Sequence, residues 1–145
     1  MPNHQKLLAA YRTTRWTVYG PKGPAEVRPG QPAPGWLLRS GVVTGWNPGS
    51  ELRQGAINRK ANQRLRRLLA GEGATLFATT ARGTGAGARP WTEPGFAVLG
   101  LARERLVEIA HDFGQNAIIW IGDAGVAELV AARPGFAGRS PGETL

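Results

Sequence analysis

The chain contains no cysteine, which excludes disulfides, zinc–thiolate centres and thiol nucleophiles and leaves packing alone to hold the fold. Histidine is nearly as scarce. His4 and His111 stand far apart, and His111 suits a last helical turn as a partner for the helix dipole, so neither a metal site nor a cofactor is implied. No serine sits in a nucleophile elbow. No segment approaches the ~20 apolar residues that span a bilayer. The N-terminal MPNHQKLLAAYRTTRW shows no long apolar stretch and no small-residue cleavage pattern. The expectation is a soluble, cytoplasmic protein with no membrane partner.

Lysine is also rare, three against fifteen arginines, within a net charge of +8. A basic face gains affinity for nucleic acid by displacing counterions from phosphates. A chain this rich in arginine, alanine, glycine and proline is equally what a GC-rich coding sequence produces. Arg64, Arg66 and Arg67 form the tight basic cluster, and on a helix such residues usually make a solvated face. A nucleic-acid or protein adaptor is therefore the alternative reading rather than the leading one.

A length of 145 residues suits one domain that buries roughly two-thirds of its unfolded surface. We place that domain at 1–136 and read 137–145, AGRSPGETL, as a loose tail. Residues 1–13 form a short helical or irregular lead. Residues 15–19 alternate as a strand, and 25–28 pair back across the Gly20–Pro24 turn. Three prolines keep 29–35 irregular. Val42 to Trp46 reads as a strand, residues 47–51 as a turn in which Ser50 caps the next helix, and Ile57, Ala61, Leu65, Leu68 and Leu69 as the apolar stripe of a helix over 52–70. Strands follow at 75–80 and 96–100, and Leu106, Ile109, Ala110 and Phe113 mark a second helix closed by Gly114. Strands at 117–121 and, after a glycine-flanked turn, 126–130 complete the chain.

The predicted fold is α+β: a ferredoxin-like split β-α-β core (βαββαβ) with an N-terminal β-hairpin and an extra C-terminal strand. The nearly wholly apolar runs 96–99 and 117–121 call for cover on both sheet faces. Either the hairpin or a second subunit, as in a homodimer, supplies the second cover.

Right-handed crossovers in this order bring Asn47, Glu93 and Gln115-Asn116 to one edge of the sheet, with Asn58 about one turn into its helix and the 82–92 loop arching over the same end. Glu93 is the one carboxylate between residues 73 and 103 and neighbours Trp91. Burial against tryptophan raises a carboxyl pKa and prepares a general base or acid; a salt bridge to Arg82 or Arg89 accounts for it equally well. Asn58 and Asn62, four apart on one helix face, serve either a ligand or the 47–51 turn. Asn47 suits a turn by itself, and Gln115-Asn116 suits a helix end. The candidate site is thus Glu93 as catalytic candidate, with Asn47, Asn58, Asn62, Arg89, Trp91, Gln115 and Asn116 around a small polar ligand such as a sugar, nucleoside or amide. Gly83-Thr84-Gly85-Ala86-Gly87 looks like a phosphate cradle, but Pro90, Trp91 and Pro94 follow where a helix is needed, so it reads as a loop or lid.

The succession Tyr11 to Val18, Thr44-Gly-Trp-Asn-Pro-Gly-Ser50, Asn58 with Asn62 and Leu65, Trp91-Thr-Glu-Pro-Gly-Phe96, and Phe113-Gly-Gln-Asn-Ala117 resembles the bacterial family called domain of unknown function 3293. The resemblance spans about 11–130. It implies a small bacterial cytoplasmic protein and names no ligand. Two positions depart from the family pattern: Ile57 stands where an acidic residue commonly precedes the asparagine, and Gly95 where a serine commonly follows Glu-Pro.

Overall fold

The computed structural model describes residues 3–47, 52–83 and 91–145. Its first helix, α1 (His4–Arg12), starts where the Asn3 side chain accepts from the backbone N–H groups of Gln5 and Lys6, at 2.9 and 3.3 Å. Strands β1 (Arg15–Gly20) and β2 (Gly23–Val27) form the expected hairpin, closed by Gly23 at φ +106°. Then come β3 (Ser40–Val43), α2 (Gly55–Gly71), β4 (Thr75–Gly83), β5 (Trp91–Leu99), α3 (Arg103–Asp112), β6 (Ala117–Ile121) and β7 (Ala127–Ala131). Among the described residues no helix is long and apolar enough to cross a membrane.

The seven strands among the described residues join one antiparallel sheet in the order β2-β1-β4-β5-β3-β6-β7. The chain leaving β2 reaches the far edge: Gly30 N–H donates to Ala127 O at 2.7 Å, and Ala127 N–H to Gln31 O at 3.0 Å. The sheet therefore curls, and its two faces have different covers. Leu65 and Leu69 of α2 and Leu106 and Ile109 of α3 pack with Val43, Val98 and Ile118 on one face. Leu8 of α1, Leu37 and the hairpin residues Val18 and Val27 pack with Val42, Ala97, Ile119 and Ile121 on the other. The hairpin thus extends the sheet through β1 and β4, and α1 joins it as the second cover.

Four boundaries differ from expectation. Strand β3 stops at Val43 instead of Trp46, because the backbone of 44–47 is bonded by α2 side chains rather than by a neighbouring strand. Helix α2 begins at Gly55 behind Gln54, which makes no side-chain cap; Ser50, the expected cap, lies outside the described residues. Strands β4 and β5 are longer than their apolar cores, pairing from Thr75↔Leu99 to Gly83↔Trp91. Pro94 is tolerated in β5 because β3 ends opposite Phe96, leaving that side of the strand open. The Pro94 carbonyl there accepts instead from Thr44 Oγ1 at 2.7 Å and Asn62 Nδ2 at 3.0 Å.

The 137–145 segment, expected as a loose tail, runs back along β7. Ala131 N–H donates to Glu143 O and Leu145 N–H to Leu129 O, at 2.8 and 2.9 Å. Just before it, the fully buried Phe136 packs on His4 and Tyr11 with ring centroids 4.8 and 6.0 Å apart, which ties the C-terminal region to α1.

Gly95 marks where β5 passes closest to the end of β3. A Cβ there would meet Val43 O at 2.7 Å, and the contact is with backbone that cannot turn aside. No side chain at this position fits the packing without a shift of β3. Gly95→Ala is expected to lose about 1 to 2 kcal/mol of stability, read from urea midpoints; an unchanged midpoint would show that β3 yields freely.

Candidate functional site

Period-two alternation along β5 puts Trp91, Glu93, Gly95 and Ala97 on the face under α1, while Phe96 and Val98 turn toward α2 and α3. Cross-strand register then sets Ala81 beside Glu93 and Thr79 beside Gly95. Gly83 lies opposite Trp91 and leaves room for its indole, which a Cβ would strike. Leu7, Ala10 and Tyr11 descend from α1, Trp16 comes from β1, and together these residues enclose a cavity of about 460 Å³. Leu52 stands at its border with 90% of its surface exposed.

The polar end of the cavity is built by α2 from behind. Asn58 and Asn62 are almost fully buried and line no part of the cavity. Asn62 Oδ1 accepts from Gly45 N–H at 2.7 Å. Asn58 Oδ1 accepts from Asn47 N–H at 2.9 Å, and its Nδ2 donates to Asn47 Oδ1 at 2.8 Å and Arg53 O at 3.3 Å. Arg53 N–H also donates to Asn47 Oδ1, at 3.0 Å. These bonds leave one orientation for the Asn47 amide: its oxygen faces α2, so its Nδ2 faces Glu93 Oε1, at 3.3 Å. Asn47 itself has φ +43°, a left-handed conformation that asparagine tolerates better than most residues.

Glu93 is half-buried among apolar and aromatic walls. Desolvation pushes its carboxyl up to about 7, and the Asn47 bond opposes that rise without cancelling it. No ion pair relieves it among the described residues. Arg82, the sequence-level candidate, is exposed on the opposite face of β4 from Ala81 and makes no bridge to Glu93.

Of the residues singled out in the sequence, Asn47, Trp91, Glu93 and Gln115 meet at the cavity. Asn58 and Asn62 are their support. Gln115 Nε2 donates to Trp46 O at 3.3 Å and so braces the same segment. Asn116 reaches Tyr11 Oη at 3.2 Å and accepts from Arg133 at 3.4 Å. Arg89 and residues 84–87 of the glycine-rich stretch lie outside the described residues. Tyr11, Trp16, Thr44 and Thr79, which also line the cavity, were not among the site candidates. The spacing of Leu7, Ala10 and Tyr11 was the signal for α1, and the alternation of Trp16 with Val18 was the signal for β1.

Comparison with known proteins bears on the same residues. A family model described as "Protein of unknown function (DUF3293)" matches residues 43–118, more than half of the chain. The chain belongs to this family. The part shared with DUF3293 runs from the end of β3 to the start of β6 and includes Thr44, Asn47, Asn58, Asn62, Thr79, Glu93 and Gln115. It is narrower than the 11–130 expected from the motifs, and leaves Tyr11 and Trp16 outside the matched span. No curated protein and no solved structure matches.

Proposed function

We propose that this DUF3293 protein binds a small ligand in the cavity under α1, its apolar body between α1 and the sheet and its polar end at Asn47 and Glu93. One observation carries the reading: a half-buried carboxyl faces a largely apolar cavity with a single hydrogen-bond donor among the described residues. A group of that kind, titrating near neutrality, also suits proton transfer. Turnover would require Glu93 within hydrogen-bond reach of the reacting atom, and Glu93→Gln would then abolish product formation while a ligand still bound.

Support for the scaffold comes from strand order. We infer that β3-α2-β4-β5-α3-β6 is a ferredoxin-like split β-α-β core, since its strands lie in the order β4-β5-β3-β6 and pair antiparallel throughout. The β1–β2 hairpin and β7 then extend its two edges.

The test is a melting screen with nucleosides, sugars, amides and small aromatic compounds. A ligand of this site at a hundredfold excess over its Kd stabilises the protein by about 2.7 kcal/mol. Ala10→Phe, which fills the cavity from α1, is expected to remove that stabilisation; a ligand shift that survives Ala10→Phe would place the site elsewhere. Arg64, Arg66 and Arg67 lie exposed on α2 and do not line the cavity. Binding to random DNA or RNA that weakens steeply with added salt would favour the adaptor reading instead.

A further inference from the structure

At the polar end of the cavity the oxygens of Glu93 and Gln115 are open acceptors, while Trp16, Trp91 and Thr79 bring indole N–H and hydroxyl groups to its lining. Gln115 Nε2 donates to Trp46 O and Phe113 O, at 3.3 and 3.4 Å, which leaves Oε1 as its open atom. Asn47 Oδ1 is taken by Asn58 and Arg53, and Asn47 Nδ2 gives one of its two N–H groups to Glu93 Oε1. Glu93 Oε2 has no protein donor among the described residues. The charge of the cavity points the same way. In a chain of net charge +8, no lysine, arginine or histidine lines it among the described residues, and Tyr11 is its one titratable group besides Glu93. Tyr11, Trp16 and Trp91 contribute aromatic side chains to the walls.

Resting on the binding reading above, we propose that the ligand is a flat aromatic compound bearing N–H donors on one edge, an amidine or amino-heteroaromatic cation, whose donors meet Glu93 and Gln115. Each half of that description has its own cause. The acceptors call for N–H groups from the ligand, because a carboxylate or phosphate would face the oxygens of Glu93 and Gln115 with no cation among the described lining residues to offset it. The aromatic walls favour a flat cation over a hydrated sugar, through stacking and cation–π attraction. Binding of such a cation draws the proton from Glu93, whose burial otherwise holds it protonated up to about pH 7.

Benzamidine, benzoate and toluene share a ring and differ in the group attached to it. Melting shifts and calorimetry at pH 8 are expected to show benzamidine binding at least about tenfold tighter than either analogue, a preference worth about 1.4 kcal/mol. In Glu93→Gln, benzamidine should fall to the level of toluene while toluene is unaffected. With the wild-type protein, benzamidine binding should weaken as pH falls below about 7, and toluene binding should not. Equal or tighter binding of benzoate, or a benzamidine affinity indifferent to both Glu93→Gln and pH, would overturn the proposed ligand class and leave the cavity as a binding site. Failure of all three compounds to bind would overturn the binding reading with it.

Discussion

Asn58→Ala is expected to lower the unfolding free energy by about 3 kcal/mol, although Asn58 lines no part of the cavity. The substitution removes the acceptor of Asn47 N–H and the donor to Asn47 Oδ1 and Arg53 O. Buried polar groups left without partners cost about 1 to 3 kcal/mol each, more than the net gain of the bonds themselves. The same amide also orients Asn47, whose Nδ2 then has no fixed direction toward Glu93. Asn58→Asp separates the two roles. It keeps an acceptor for Asn47 N–H but presents a carboxylate to Asn47 Oδ1, so Glu93 should titrate above its value of about 7, from its lost donor and the added charge. Urea unfolding and carboxyl titration by NMR read both effects. A loss below about 1 kcal/mol for Asn58→Ala, with Glu93 unmoved in Asn58→Asp, would reduce Asn58 to an ordinary buried residue.

Glu93→Gln should make the protein more stable above neutrality. The folded pKa of about 7 lies above the ordinary carboxyl value of 4.5, so the folded state holds its proton over a range in which the unfolded chain has released it. Stability from this group is full below about pH 4.5 and is lost as pH rises through about 7. Glutamine keeps the shape and an oxygen for Asn47 Nδ2 but has no charge to desolvate. After allowance for the solvent that reaches a half-buried group, the variant gains about 2 kcal/mol over wild type at pH 8 and nearly nothing at pH 4. Melting curves across this range check it, and a constant difference between the two proteins would exclude the raised pKa. A group that costs stability at neutral pH and faces a cavity fits a binding or catalytic role better than a structural one.

Asn47, Glu93 and Gln115 were readable as site candidates because each stands where an apolar run meets a junction, and crossover rules bring those junctions to one edge. Asn58 and Asn62 were readable as a pair, since two poor helix formers four apart on one face need partners; their hydrogen bonds show that those partners are the backbone of 45–47 and the Pro94 carbonyl. Trp91 was read into the 82–92 loop and Glu93 just ahead of a strand beginning at Phe96, whereas β5 starts at Trp91 and continues through Pro94 past the end of β3. The larger omission was the place of α1, read only as a helical or irregular lead, over the cavity. The amphipathic spacing of this helix is short, and its place over the cavity depends on Phe136, more than 120 residues away.

Local and periodic features were determined by the sequence alone: the absence of thiol chemistry, the mixed helix and strand class, the glycine turns and the polar junction residues. These depend on side-chain type and on spacing along the chain, which need no knowledge of distant neighbours. Tertiary structure decided the rest, namely which face of β5 Glu93 takes, that Asn58 of α2 orients Asn47 from behind the cavity, and that α1 roofs it. Each depends on two or more segments meeting in space, and the raised pKa of Glu93 exists only once those segments have excluded water from it.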